Sequence, residues 1–316
     1  GNGSDDGDVD DSDDGGAGVP NARAIPNVGL PRRARGNHDD AYRTGELWMS
    51  DFDEIDGPLI HDQASSVADI YSDMLTGGNP GGADDVVEVL VTETNRYAQQ
   101  FKDDNPTNPG GMSWNPVDRD TMKAFIAIIL YMGLVRLPTL RMYWSTHWMF
   151  SFSIAEIMSR NDFLAILRFL HCANNADMIA RNLPAYDRLF KIRKVTDMFV
   201  KNWQRCFYPS REISLDECIV GFKGRTYLKQ YNPKKPHKWG ICMWSVADAK
   251  SGYTYGWQIF AGKGHHVLES GKGVTYDIVM NSLRENSLLD KGHHVYMDNF
   301  FSSPTLYKDL SEHWTG

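Results

Sequence analysis

Cysteine is scarce. There are four in 316 residues, Cys172, Cys206, Cys218 and Cys242, and no two are spaced as a Cys-x-x-Cys pair. Such spacing gives neither a disulfide framework nor a paired-thiol metal site, and it suits a reducing compartment, cytosol or nucleus. Long apolar runs are missing too. The longest, AFIAIILYMGLV from Ala124 to Val135, falls well short of the about 20 residues that a bilayer crossing needs. It reads as a buried core helix, and no membrane contact is expected. Positive charge is missing from residues 1–22, which hold seven Asp. These account for all but one unit of the formal net charge of −8. The body of the chain is therefore near neutral, and a polyanion would have to be met by local patches. Negative charge, in turn, is missing from Lys223 to Lys238.

What is present is unevenly arranged. Residues 1–45 open with GNGSDDGDVDDSDDGGAG, rich in charge and poor in apolar side chains, which predicts a disordered acidic tail and linker. The cluster PRRARG, Pro31–Gly36, reads either as a nuclear localisation signal or as a solvated linker. Residues 46–84 read as a semi-ordered linker with one short helix near Val67–Leu75, ended by GGNPGG. The chain starts at Gly1 rather than Met and stops inside an ordered pattern, so it is expected to be part of a longer protein.

Residues 85–212 carry helical periodicity. Val87, Leu90, Val91 and Thr94 share one face, and Phe163, Ile166, Leu167 and Leu170 share another at i, i+3, i+4 and i+7. In RLFKIRKVTDMFVKNWQRCF, Ile192, Val195, Thr196, Phe199 and Trp203 form an apolar stripe, while Lys191, Lys194, Lys201 and Arg205 form a cationic one. Between Met158 and Arg211 there are ten Lys or Arg against four Asp, an imbalance that puts nucleic-acid contact on an equal footing with plain solvation. Trp144, Trp148 and Trp203 read as core.

At Glu212 the period shortens. EISLDECIV alternates, with Ile213, Leu215 and Ile219 on one side and Asp216 and Cys218 on the other. Strands follow at Trp239–Asp248 and Tyr253–Gly262, then a helix in GVTYDIVMNSLRENSLLD stopped by Gly292, a short strand HHVYMD ending in Asp298, and a helix opened by Ser303 and Pro304. Three sequential strands make a meander, and the helical crossover returns a fourth strand parallel to the first. The expected architecture of residues 213–316 is α/β and ribonuclease-H-like, after an all-helical domain over 85–212. Such a sheet brings Asp216 and Asp298 onto neighbouring strands.

Two neighbouring carboxylates repel unless a cation lies between them. Mg²⁺ or Mn²⁺ suits such oxygen donors, and a pair of ions can drive in-line phosphoryl transfer. The cationic stretch Lys223, Arg225, Lys229, Lys234, Lys235 and Lys238, interleaved with Tyr227, Tyr231 and Trp239, suits a phosphate backbone and an exposed base. Glu217 points away from Asp216 and reads as structural, and Asn299 reads as a turn cap. Adjacent residues in a strand face opposite ways, so neither His265–His266 nor His293–His294 is expected to chelate one ion.

The stretches SLDECIVGFKGRTYLKQYNPKKPHKWGI and KGHHVYMDNFFSSPTLYKDL closely resemble the core of piggyBac-type transposases and piggyBac transposable element-derived proteins. ETNRYA and GLVRLPTLRMYW resemble the helical region before that core, so the likeness runs from about residue 85 to the last residue. The resemblance implies a cut-and-paste DNA transposase that acts in the nucleus as a homodimer on double-stranded transposon ends. Its helical domain would serve DNA binding and dimerisation. Catalysis would use three Asp and divalent metal. Asp216, in LDE, matches the first, and Asp298, in MDNFFSS, matches the second. The third, and a cysteine-rich zinc module, are expected beyond residue 316. Cys242 stands where the family commonly has Lys, which would remove one cation from the DNA-facing loop. The alternative is a domesticated derivative that binds DNA without a complete active site.

Overall fold

The computed structural model describes residues 57–58, 66–106, 114–150, 153–233, 235, 237–262 and 270–313. The acidic tail expected over 1–45, the cluster Pro31–Gly36, Lys234, His265 and His266 lie outside the described residues. Residues 48–316 fall within one compact unit. No helix among the described residues is long and apolar enough to cross a membrane.

Helices come first: α1 (Val67–Thr76), α2 (Val86–Asp104), α3 (Arg119–Leu134), α4 (Ile154–Ile157), α5 (Arg160–Phe169) and α6 (Phe190–Cys206). The N-caps of four of them are sequence-encoded. Ser66, Asp85, Asp118 and Ser159 each place a side-chain oxygen on a first-turn amide that the helix itself leaves without a partner. Asp85 is fully buried and accepts from the amides of Gly81, Val87 and Glu88. It also pairs with the Arg119 guanidinium, a charge contact that stitches α2 to α3.

Val87 and Ala98 of α2, Met122, Phe125 and Ile128 of α3, and Phe163, Ile166 and Phe169 of α5 close the helical core, with Trp114 edge-on to Phe169 at 5.1 Å. Three expectations are corrected here. α3 is not buried all round, because a helix docked on one side buries only the stripe at i, i+3 and i+6. Its Ile129, Leu130 and Leu134 stay exposed. In α5, Leu167 is exposed, and Phe169 supplies the core contact. Trp148 is exposed, whereas Trp144 packs on Phe163 and Trp203 on Trp257.

A short antiparallel pair, β1 (Gly57–Pro58) with β2 (Phe207–Tyr208), precedes the main sheet. β3 (Glu212–Gly221), β5 (Trp239–Asp248) and β6 (Thr254–Ile259) form the meander, and β7 (His294–Met297) pairs with β3 in parallel. A strand that the Lys-rich composition hides, β4 (Lys229–Tyr231), pairs with Trp239–Ile241 at one end of β5, on the edge that β6 takes further along. α7 (Val274–Glu285) stops earlier than Gly292. Ser287 and Asp290 adopt positive φ of 56° and 60°, and Leu288 turns back into the core with its amide on the Leu283 carbonyl. α8 (Pro304–Glu312) starts where Ser303 caps the Leu306 amide.

The layers follow from strand alternation. Ile213, Leu215, Trp244 and Val246 face α7 and α8, where Tyr276, Val279, Leu283, Leu306 and Leu310 complete a second core. On the other face α6 covers β6, with Trp203 edge-on to Trp257 at 4.9 Å and with Leu189 and Ile192 clustered with Ile241 and Ile259. The opposite flank of α6 holds Val195 and Met198 against Val86 of α2. α6 is thus the layer between the helical core and the sheet. Over β3 and β7 on that face, Asp216, Cys218 and Tyr296 are exposed among the described residues.

Candidate catalytic and nucleic-acid face

Parity on β3 decides which side chains meet. Ile213 and Leu215 are buried, and Asp216 and Cys218 are exposed on the opposite face. In the parallel ladder Ile213 lies beside Val295 and Leu215 beside Met297, and all four pack in one core. Asp216 follows Leu215 on β3 and Asp298 follows Met297 just past the end of β7, and both are exposed. Neighbouring strands are about 4.8 Å apart.

Local backbone fixes both carboxylates. The Glu217 amide donates to Asp216 Oδ1 at 2.7 Å, and the Asn299 amide donates to Asp298 Oδ1 at 2.6 Å. The turn after Asp298 is closed by the Phe301 amide and Ser302 Oγ, which donate to the Asp298 carbonyl at 3.0 and 3.3 Å. Phe301 is driven into the core while Phe300 stays exposed. No group of three or more His, Cys, Asp or Glu placed to hold a metal occurs among the described residues.

Glu217 faces the other way, with its carboxylate on Asn232 Nδ2 at 3.3 Å and its backbone carbonyl accepting from Lys235 Nζ at 3.1 Å. Cys242 lies on that same buried side. Burial, and then the Glu217 charge, push its thiol up to about 12. Position 242 therefore points to the interior, and the expectation that Cys242 removes a cation from an outward-facing loop is corrected. His293 is buried with Nδ1 on the Ser210 carbonyl at 3.1 Å, whereas His294 belongs to β7 and is half-buried.

The basic residues divide into kinds. Lys223, Arg225 and Lys238 are exposed, as are Lys191 and Lys194 at the start of α6. Lys229 donates to the Gly224 carbonyl and lies 5.2 Å from the centre of the Trp239 ring. Lys201 and Arg205 instead clasp Asp84, at 2.7 and 2.8 Å, and hold its carboxyl below the usual range through the Lys201 hydrogen bond above all. They tie α6 to the loop before α2. Sequence reasoning missed Arg181 and Arg188, whose guanidiniums sit 5.8 and 5.3 Å from the Tyr227 ring centre, and the Tyr227 hydroxyl donates to the Arg188 carbonyl. Burial, and then Tyr186, raise the Tyr227 pKa.

Comparison with known proteins follows this geometry. The profile of the family described as Transposase IS4 matches residues 82–316. Human PiggyBac transposable element-derived protein 3 is 29% identical over 236 residues, which cover 72% of this chain and 36% of that protein. Human PiggyBac transposable element-derived protein 2 is 26% identical over 233 residues, covering 71% and 36%. The chain thus spans about a third of the length of these relatives. A cryo-EM structure of a piggyBac transposase synaptic complex with hairpin DNA aligns with a TM-score of 0.64 at 20% identity, covering 83% of this chain and 52% of that one. The mixed sheet flanked by helices is therefore the fold of that transposase, and the chain belongs to the piggyBac-type Transposase IS4 family.

Proposed function

We propose that this chain is the part of a piggyBac-like DNA transposase that carries the first two catalytic carboxylates, Asp216 and Asp298, on a ribonuclease-H-like sheet. The observation that supports the reading is the parallel β3–β7 ladder, which pairs Leu215 with Met297, together with the exposure of the next residue on each chain segment, Asp216 and Asp298. Residues 213–316 are the catalytic domain in this reading. Residues 85–212 are a helical domain for DNA binding and dimerisation, and the substrate is duplex DNA at transposon ends in the nucleus.

The donor set fits a hard divalent cation. Both groups are carboxylates, both are exposed, and each has one oxygen held by a backbone amide while the other takes no hydrogen bond from a described residue. Asp216 and Asp298 would hold Mg²⁺ or Mn²⁺. When bound, the ion supplies Lewis acidity and an activated water for in-line attack at phosphorus. The protein's own part is placement. The amides of Glu217 and Asn299 fix the carboxylates, and the exposed Lys223, Arg225, Lys238, Lys191 and Lys194 neutralise phosphates of the bound strand.

The test is cleavage of an end-labelled duplex carrying a transposon end, using the intact protein with Mg²⁺ or Mn²⁺. Asp216→Asn and Asp298→Asn should each abolish cleavage and leave duplex binding in place. Wild-type cleavage by either variant would overturn the assignment.

A further inference from the structure

Strand parity places a second feature on the face that exposes Asp216. Trp239 pairs with Tyr231 across β5 and β4, and Ile241 pairs with Lys229. Residues 239, 241, 243 and 245 of β5 share one side, and Ser245 is the register partner of Asp216. Lys229, Tyr231 and Trp239 therefore lie on the same face as Asp216 and Asp298, at the far end of β5. The two rings are about half exposed, each 53%, with centres 4.7 Å apart and planes inclined by 43°. Lys229 Nζ sits over Trp239. Ser245 lies six residue steps along the strand from Trp239, so at about 3.3 Å per step the rings lie about 20 Å from the carboxylates. That is the length of about six stacked nucleotides at 3.4 Å each.

Two large rings left half in water on a sheet edge cost apolar hydration unless something flat covers them. A phosphate backbone does not need them, because the lysines suffice. A nucleobase does, since it presents an apolar face to stack and carries a phosphate that a neighbouring cation can meet. Tyr227 is a poorer candidate, because its hydroxyl is bonded to the Arg188 carbonyl and two guanidiniums already flank its ring.

We infer that Trp239 and Tyr231, with Lys229 beside them, form a stacking platform for one unpaired base of the bound DNA, several nucleotides from the bond held at Asp216 and Asp298. The inference rests on the transposase reading and adds a site to it. The platform distinguishes unpaired from paired DNA, which the lysines cannot do.

The experiment uses the full chain and two fluorescently labelled probes, a fully paired duplex and the same duplex with a short unpaired segment. Binding is followed by anisotropy, and a 2-aminopurine in the unpaired segment reports stacking by quenching. Trp239→Ala and Tyr231→Ala should each weaken the unpaired probe by about 5- to 100-fold and relieve the quenching. The duplex should bind as before, and Trp239→Phe should restore most of the difference. Equal losses on both probes, or a Trp239→Phe variant as weak as Trp239→Ala, would overturn the platform and leave the transposase reading standing. Failure of the unaltered chain to bind either probe would sink that reading and the platform with it. Circular dichroism of each variant separates a lost contact from a lost fold, and Tyr231→Ala tests the same site from a different strand.

Discussion

Replacing Asp248 by Asn should destabilise the fold by at least about 2 kcal/mol near neutral pH, and the loss should shrink in acid. Asp248 ends β5 and is almost fully buried. Its carboxylate accepts from the Ser210 amide at 2.8 Å, the Ser251 amide at 2.6 Å and Ser251 Oγ at 2.5 Å. One side chain thus joins the entry to β3 with the β5–β6 turn. Burial pushes the carboxyl up, but the Ser210 and Ser251 hydrogen bonds outweigh it and hold the group at about 2 against an ordinary 3.8. A depression of just under two units, at about 1.36 kcal/mol each, gives about 2 kcal/mol. The folded pKa is the lower one. The contribution is therefore complete above pH 3.8 and is lost as the pH falls towards 2, with about half gone at pH 3. Urea denaturation of both proteins at pH 7, 4 and 3 measures the gap, and the other carboxylates cancel because both proteins share them. A gap as large at pH 3 as at pH 7 would refute the reasoning, since it would mean that Asp248 contributes shape and not charge.

Asp85→Ala should cost about 2–4 kcal/mol, because it removes the α2 cap and leaves the Arg119 guanidinium only its longer contact with Glu88 at 3.7 Å, while Asp85→Asn, which keeps a capping oxygen, should cost less. Thermal melts that show no difference between the two would sink that division. Lys191→Ala and Lys194→Ala should each make duplex binding less salt-dependent, lowering the slope by about 0.9. Lys201→Ala should act on stability instead, by about 1 kcal/mol or less for so exposed a pair, and a full slope change from Lys201 would show that Asp84 does not engage it. Changing Lys234, Lys235 and Lys238 together to Ala should weaken duplex binding with a shallower salt slope, and an unchanged slope would assign the loop to some other contact.

The sheet was legible because burial writes alternation into a strand. Ile213 and Leu215 against Asp216 and Cys218 gave the faces of β3, and the helix between β6 and β7 implied a parallel return. The start of α8 was legible because Ser303 stands directly before Pro304. Three kinds of feature were not. β4 is three residues long, too short for any period, and exists through its pairing with Trp239–Ile241. The exposed side of α3 was unreadable because a run that is apolar all round does not state which side is docked. The fate of Lys201 and Arg205 depended on Asp84, more than a hundred residues away in sequence, and no local pattern encodes that distance.

The candidate site is held by residues that take no part in it. Backbone amides orient the carboxylates of Asp216 and Asp298. The strand that carries Asp216 and the one that leads into Asp298 are held in register by the burial of Ile213, Leu215, Val295 and Met297 on the reverse face. A slip of one residue between β3 and β7 would turn Val295 and Met297 into solvent, and it would carry Asp298 to the face opposite Asp216. The apolar cost of that slip therefore works as a restraint on the carboxylates. The same logic extends along β3 to β5, whose register runs unbroken from Ile213 opposite Asp248 to Gly221 opposite Gly240. It keeps Trp239 and Tyr231 on the carboxylate face as well. Side chains on this face are thus positioned by hydrophobic pairing on the other. Substitutions within that reverse face that preserve stability but loosen the β3–β7 pairing should damage cleavage more than DNA binding.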